Sequence, residues 1–175
     1  MIQNLYVPYR MRVAKVTPEA PSVVTFRLEF VDPADAERFD FKAGQFGEYS
    51  VYGEGESTFC IASAPTRKGY IECTFRQVGR VTTALADRDE GDIIGFRGPY
   101  GNVFPIEQWR GKKLLFIAGG IALPPMRCVI WRPRRAWGLN ATGMTPTMAR
   151  MTFRPWATMF CPWNGDSIPP VFRTC

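Results

Sequence analysis

KKLLFIAGGIALPPMRCVIW, residues 112–131, decides how the chain is organised. Lys113 is followed by LLFIA, an uninterrupted apolar run of the kind found in a parallel strand covered on both faces. Gly119 and Gly120 follow, and then IALPPMRCVIW, whose early prolines suit a first helical turn. Strand, glycine turn and helix in that order are the opening unit of a nucleotide-binding α/β domain. The small residues let the backbone approach a ligand, and a helix start offers unpaired N–H groups to a phosphate. The run is not G-x-G-x-x-G, and on these residues alone a tight turn without a ligand stays open.

Upstream the grammar is different. Segments 10–16 (RMRVAKV), 23–30 (VVTFRLEF), 45–52 (QFGEYSVY), 58–62 (TFCIA) and 70–77 (YIECTFRQ) are short and rich in β-branched and aromatic residues. Turn formers bound them: Pro18 and Pro21, Asp32-Pro33, Gly53 to Gly55, and Pro65 to Gly69. This spacing predicts an antiparallel sandwich or barrel. RVTTALADR (80–88) switches to helical spacing, and DIIGFRGPYG (92–101) reads as a last strand ending in a glycine–proline turn. Residues 106–113 read as a polar connector. The expected division is a β-barrel domain over 1–108, the start of an α/β nucleotide unit over 109–131, and an atypical tail over 132–175.

Composition narrows the function classes. With 46% hydrophobic and 22% charged residues the chain builds a core rather than a disordered ensemble. No run of about 18 apolar residues is present, so no membrane-spanning helix is expected. The start, MIQNLYVPYRMRV, lacks the apolar centre of a signal peptide. Five cysteines without a C-x-x-C pair, and no histidine, argue against a zinc site or a disulfide framework and for a reducing cytoplasm. The net charge of +6 points superficially to nucleic acid. Residues 1–131, however, carry 16 Lys plus Arg against 15 Asp plus Glu, so the excess belongs to the tail and no nucleic-acid partner is expected.

Three further stretches carry candidate chemistry. GESTFCIASAP (55–65) ends a strand in small residues and a proline, where main-chain groups and a Cys or Ser side chain can bond a flat heterocycle; a plain barrel strand reads the same way. VGRVTTAL (78–85) opens a helix with hydroxyls: Thr82 and Thr83 either cap that helix or present groups to a pyrophosphate. GFRGPYGNVFP (95–105) is a turn with Tyr100 and Phe104 near the expected domain junction.

Taken in order, S-T-F-C-I-A-S-A-P, G-R-V-T-T-A-L, G-P-Y-G-N-V-F and L-L-F-I-A-G-G-I-A-L-P-P-M-R resemble the ferredoxin–NADP reductase superfamily. The likeness runs over residues 6–131 and is nearest to the flavin- and nicotinamide-binding gamma subunits of soluble hydrogenases, anaerobic sulfite reductase and heterodisulfide reductase-linked complexes. It implies a Greek-key antiparallel β-barrel holding FAD, followed by an α/β domain holding NAD(P). It also implies hydride transfer from the nicotinamide to the flavin and single-electron transfer to an iron–sulfur, hydrogenase or reductase partner subunit. No acid–base dyad is needed for that chemistry. By position the resemblance assigns flavin contacts to Phe59, Cys60, Ile61 and Ala62, to Thr74 and Arg76 on the next strand, and to Gly79, Val81, Thr82 and Thr83 at the diphosphate turn. Gly119, Gly120, Ile121, Ala122 and Pro124 fall on the nicotinamide loop. No metal site and no catalytic side chain are assigned.

The sequence departs from the family's Arg-x-Tyr-Ser flavin motif at three places. Ser57 stands where an arginine would meet the pyrophosphate, Phe59 lacks the tyrosine hydroxyl, and Cys60 replaces a serine donor near the flavin N5 with a weaker one. Arg76 or Arg80 is the candidate replacement for the missing charge. Ala122 takes the place of a glycine in the nucleotide loop.

After Trp131 the expected second parallel strand does not follow. Residues 132–175 hold six prolines, six arginines and neither lysine nor glutamate, and no periodicity persists beyond a turn or two. A shifted reading frame near residue 131 is the expectation that accounts for the joint change in charge, lysine use and periodicity; a basic partner-binding extension and a divergent folded end are the alternatives. The functional expectation is an electron-transfer subunit passing electrons between NAD(P)H and an iron–sulfur partner through FAD. The alternative is a non-catalytic flavin-binding or docking module, and complete nicotinamide binding by this chain is not expected.

Overall fold

The computed structural model describes residues 6–110, 112 and 121–130, with side chains through Arg127. The strand expected at 114–118, Gly119, Gly120 and everything from 131 onward lie outside the described residues.

Six antiparallel strands follow from the alternating segments: β1 (Tyr9–Ala20), β2 (Val23–Phe30), β3 (Phe46–Val51), β4 (Gly55–Cys60), β5 (Tyr70–Arg76) and β6 (Ile93–Tyr100). They form one sheet in the order β4-β3-β6-β1-β2-β5. The sheet curls until its two edge strands meet at the Ile61–Cys73 bridge, where the Ala62 N–H donates to the Glu72 carbonyl at 2.7 Å. The sheet is therefore a barrel, with β6 returning between β3 and β1 in Greek-key fashion.

Inward positions of each strand supply the core. Met11 and Val13 of β1, Phe26 and Leu28 of β2, Tyr49 of β3, Ile71, Cys73 and Phe75 of β5, and Ile94 and Phe96 of β6 are fully buried. Each such large side chain contributes about 1.5–3 kcal/mol relative to exposure. Phe26 and Phe75 meet edge to face at 5.0 Å, the preferred geometry for an aromatic pair. Gly47 is required by this packing, since a Cβ there would enter the Phe96 ring. A helix over Arg80–Ala86 (α2, with α1 at Pro33–Arg38) lays Leu85 into the same core and covers one mouth of the barrel.

Three local features differ from the sequence expectation. β1 runs through Pro18 to Ala20, because register shifts at Val13/Lys15 and Pro18/Ala20 absorb a residue that cannot donate to the ladder. Asp32-Pro33, read as a turn, is the N-cap and first residue of α1: the Asp32 Oδ1 accepts from the Ala34 N–H at 2.9 Å. The connector contains a four-residue helix, α3 (Ile106–Trp109), whose Trp109 ring lies 5.9 Å from Phe104. With Ile106 these rings cover Ala43 and Ala64, so the segment leaving the barrel is pinned beside the loop that follows β4. The last described element, α4 (Leu123–Ile130), is the helix predicted after the glycine turn.

Candidate functional site

The barrel does not close along its whole seam. Beyond the Ile61–Cys73 bridge no pairing joins β4 to β5 among the described residues, so Gly55–Phe59 and Thr74–Arg76 each face the gap with an unpaired strand edge. Main-chain N–H and C=O groups on such an edge must be satisfied by water or by a ligand. Next to this gap, Ser57 of β4 and Val78, Gly79, Arg80, Val81 and Thr82 at the start of α2 line an open cleft of 280 Å³.

The two walls of the cleft are built differently. On the α2 wall, the Thr82 hydroxyl accepts from the Val78 and Gly79 N–H groups at 3.0 and 2.9 Å and donates to the Gly79 carbonyl at 2.9 Å. Thr82 is buried and its hydroxyl is saturated, so of the two alternatives left open for it, capping is the one realised. Thr83 is exposed. Gly79 is extended (φ −159°) and a Cβ there would meet nothing within 4 Å, so the cleft is open directly over the helix start. The first-turn amides of α2 have no helical acceptor and face outward from the helix end, where an anion is favoured.

On the β4 wall, outward and inward side chains alternate. Phe59 is half-buried, its ring 5.6 Å from Tyr49 and 5.4 Å from Phe75, so it forms the aromatic rim of the core at the gap. Cys60 is exposed, and burial of its thiol against the strand end still pushes the pKa above the ordinary value, which keeps it protonated and a donor at neutral pH. Ile61 and Ala62 are buried, and their N–H groups are spent on the Gln45 and Glu72 carbonyls at 3.1 and 2.7 Å. They lie in the closed part of the seam and offer a ligand neither side chain nor amide proton.

The two candidate cations also differ. Arg80 is held by Glu54 at 2.6 Å and by the Gly53 carbonyl at 3.3 Å, which ties it to the β3–β4 turn. Arg76, the exposed last residue of β5, has no ion pair among the described residues. Thr74 hydrogen-bonds Thr25 at 2.8 Å, which in turn donates to Glu19 at 2.8 Å. On the nicotinamide side, Ile121, Ala122 and Pro124 lead into α4, while Gly119 and Gly120 lie outside the described residues.

Sequence reasoning missed Val78 and Glu72. Val78 is 75% exposed at the cleft mouth. Glu72 is a buried carboxylate on the outer face of β5, bonded to Arg27 at 3.1 and 3.3 Å. Its signal was present: an acidic residue inside YIECTFR, opposite the arginine of VVTFRLEF.

The chain's relatives are gamma and electron-transfer subunits of redox enzymes, and its fold is that of ferredoxin–NADP reductase-like proteins. No protein-family model matches it. It is 42% identical over 126 residues to the sulfhydrogenase 1 gamma subunit of Pyrococcus furiosus, covering 72% of this chain and 43% of that protein. It is 36% identical over 120 residues to a protein of Methanocaldococcus jannaschii described as a probable dihydroorotate dehydrogenase B (NAD(+)) electron transfer subunit, covering 68% and 40%. Among solved structures, phthalate dioxygenase reductase, described as a modular structure for electron transfer from pyridine nucleotides to [2Fe-2S], superposes with a TM-score of 0.62 at 25% identity, over 74% of this chain and 40% of that one. The chain thus spans less than half the length of the curated relatives it matches.

Proposed function

We propose that the gap between β4, β5 and α2 holds FAD and that the chain is the flavin-bearing part of a cytoplasmic electron-transfer subunit. The observation that carries this reading is the incomplete seam: strand edges, an aromatic rim and a helix start converge on one cleft at the positions where the superfamily's flavin motifs fall. The α2 amides and the open face of Gly79 receive the diphosphate, with Arg76, which has no ion pair among the described residues, as the cation in place of the uncharged Ser57. Phe59 offers the ring a flat apolar surface, and the protonated Cys60 thiol donates at its edge. Val81 and Thr83 flank the diphosphate turn, and Thr82 keeps that turn in shape without touching the ligand.

When bound, FAD would supply the redox chemistry that links NAD(P)H to an iron–sulfur partner. The protein's task is to bind, orient and shield. Residues 1–108 form the flavin unit in this reading, and 109–131 begin the nicotinamide unit, with Ile121, Ala122 and Pro124 beside Gly119 and Gly120 in its loop. The relatives, a sulfhydrogenase gamma subunit and a probable electron transfer subunit, support a multi-subunit redox complex as the setting.

The test is a titration of the purified chain with FAD, followed by assay of NAD(P)H oxidation with an artificial acceptor. Stoichiometric binding with an absorbance band near about 450 nm, a property of flavins, is expected. Failure to bind FAD overturns the proposal. Binding without NAD(P)H oxidation reduces the chain's role to a flavin-holding module.

A further inference from the structure

Glu72 lies at the junction of three parts of the molecule. Its main chain sews the segment after β4 to β5: the Ala62 N–H donates to the Glu72 carbonyl at 2.7 Å, and the Glu72 N–H donates to the Ser63 hydroxyl at 3.2 Å. Its carboxylate is 10% exposed and divides between two arginines. Oε1 takes Arg27 of β2 at 3.1 Å, and Oε2 faces Arg127 of α4 at 3.6 Å. Arg27 is itself fixed by stacking over the Tyr70 ring at 4.5 Å. A carboxylate this buried must be paired, and one oxygen is already committed within the barrel. The other is left for the helix.

We infer that Glu72 is the positioning residue that latches α4 to the barrel, through Arg127, at the segment that closes the barrel seam. α4 begins directly after Ile121 and Ala122, so the latch fixes where the nicotinamide loop leaves the barrel surface. Ala62 and Ser63 hang on the same residue, which makes Glu72 a link between the barrel seam that ends at the flavin gap and the helix of the nicotinamide unit. The contact at 3.6 Å is a single charge pair rather than a two-pronged hydrogen bond, so it requires a cation there and not a guanidinium. The importance of this link for electron transfer rests on the flavin reading above; the latch itself does not.

Hydrogen exchange on the full chain tests it, with Arg127→Gln, Arg127→Lys and Glu72→Gln compared with the parent. Removing the charge in Arg127→Gln accelerates exchange of the amides of residues 128–130, which have helical acceptors in α4, by about fivefold while β2 and β5 are unchanged. Arg127→Lys restores parental protection, a rescue that loss of mere packing would not show. Raised salt reduces protection in the parent and not in Arg127→Gln. Unchanged α4 exchange in Arg127→Gln, or a lysine that fails to rescue, overturns the inference. Glu72→Gln reproduces the Arg127→Gln effect on α4; should it not fold, the two Arg127 variants decide alone. FAD titration of the parent runs alongside. Absence of flavin binding there counts against the flavin reading and leaves the exchange result standing.

Discussion

The seam of the barrel has two halves. From Ile61 to Ser63 the chain is bonded to β5 by main-chain and hydroxyl contacts, backed by the Glu72 carboxylate and its arginines. A few residues earlier, Gly55 to Phe59 presents an edge with no strand beside it among the described residues, against the start of α2. Both halves use the same kind of backbone, so the difference lies in what satisfies it. The closed half meets its hydrogen-bond demand internally and is structural, whereas the open half leaves that demand to something outside the chain. The residues that the resemblance assigns to flavin divide along the same line. Ile61 and Ala62 are on the closed side, and Phe59, Gly79 and Thr83 border the opening.

The largest effect comes from emptying the core behind the seam. Phe75→Ala removes a 1%-exposed ring packed on Phe26 and Phe59, and a loss of about 3–5 kcal/mol in urea unfolding is expected. Next in size is a change on the open half. Ser57→Arg returns a cation to the cleft wall and tightens FAD by at least about tenfold in titration, with stability little altered, because a charge-assisted bond to phosphate contributes about 1.5–3 kcal/mol. No gain in affinity would detach the cleft from the diphosphate. Thr82→Ala strips the hydroxyl that holds Val78 and Gly79 and costs about 1 kcal/mol in thermal or urea unfolding.

The smallest effect concerns Cys60. Burial raises its thiol pKa, so at a given pH near 8 less of it is thiolate than in a free cysteine. Iodoacetamide should therefore label the Cys60 peptide more slowly than a model thiol, with the midpoint of the pH–rate curve above about 8.5. A midpoint below the ordinary value would contradict that environment.

Much of the barrel was legible because period-2 alternation survives in VVTFRLEF and YIECTFR, where one face is buried throughout. α1 was not. It is one and a half turns long with no buried residue, so it has no periodicity to read and only its Asp-Pro cap announces it. Closure into a barrel was expected from strand spacing and the resemblance, but the place of closure was not, since the Ile61–Cys73 bridge depends on how far the whole sheet curls and on no local pattern. For the candidate site the sequence offers a set of positions and not a set of roles. VGRVTTAL left Thr82 between capping and ligand contact, and only its three main-chain partners resolve that choice. Arg76 and Arg80 were equivalent in sequence until Glu54 engaged one of them. Of the resemblance, the loop positions Gly119 and Gly120 lie outside the described residues and the structure adds nothing to them.

Filling the cleft is the most direct test of the claim that its open half receives flavin. Gly79 is extended and its missing Cβ would meet nothing, so Gly79→Leu fits the fold at the cost of a weaker helix cap, about 1 kcal/mol, while its side chain occupies the cleft. Calorimetric titration of the parent and the variant with FAD should show one-to-one binding in the first and none in the second, with both chains folded. Equal FAD affinity in the two would contradict the account.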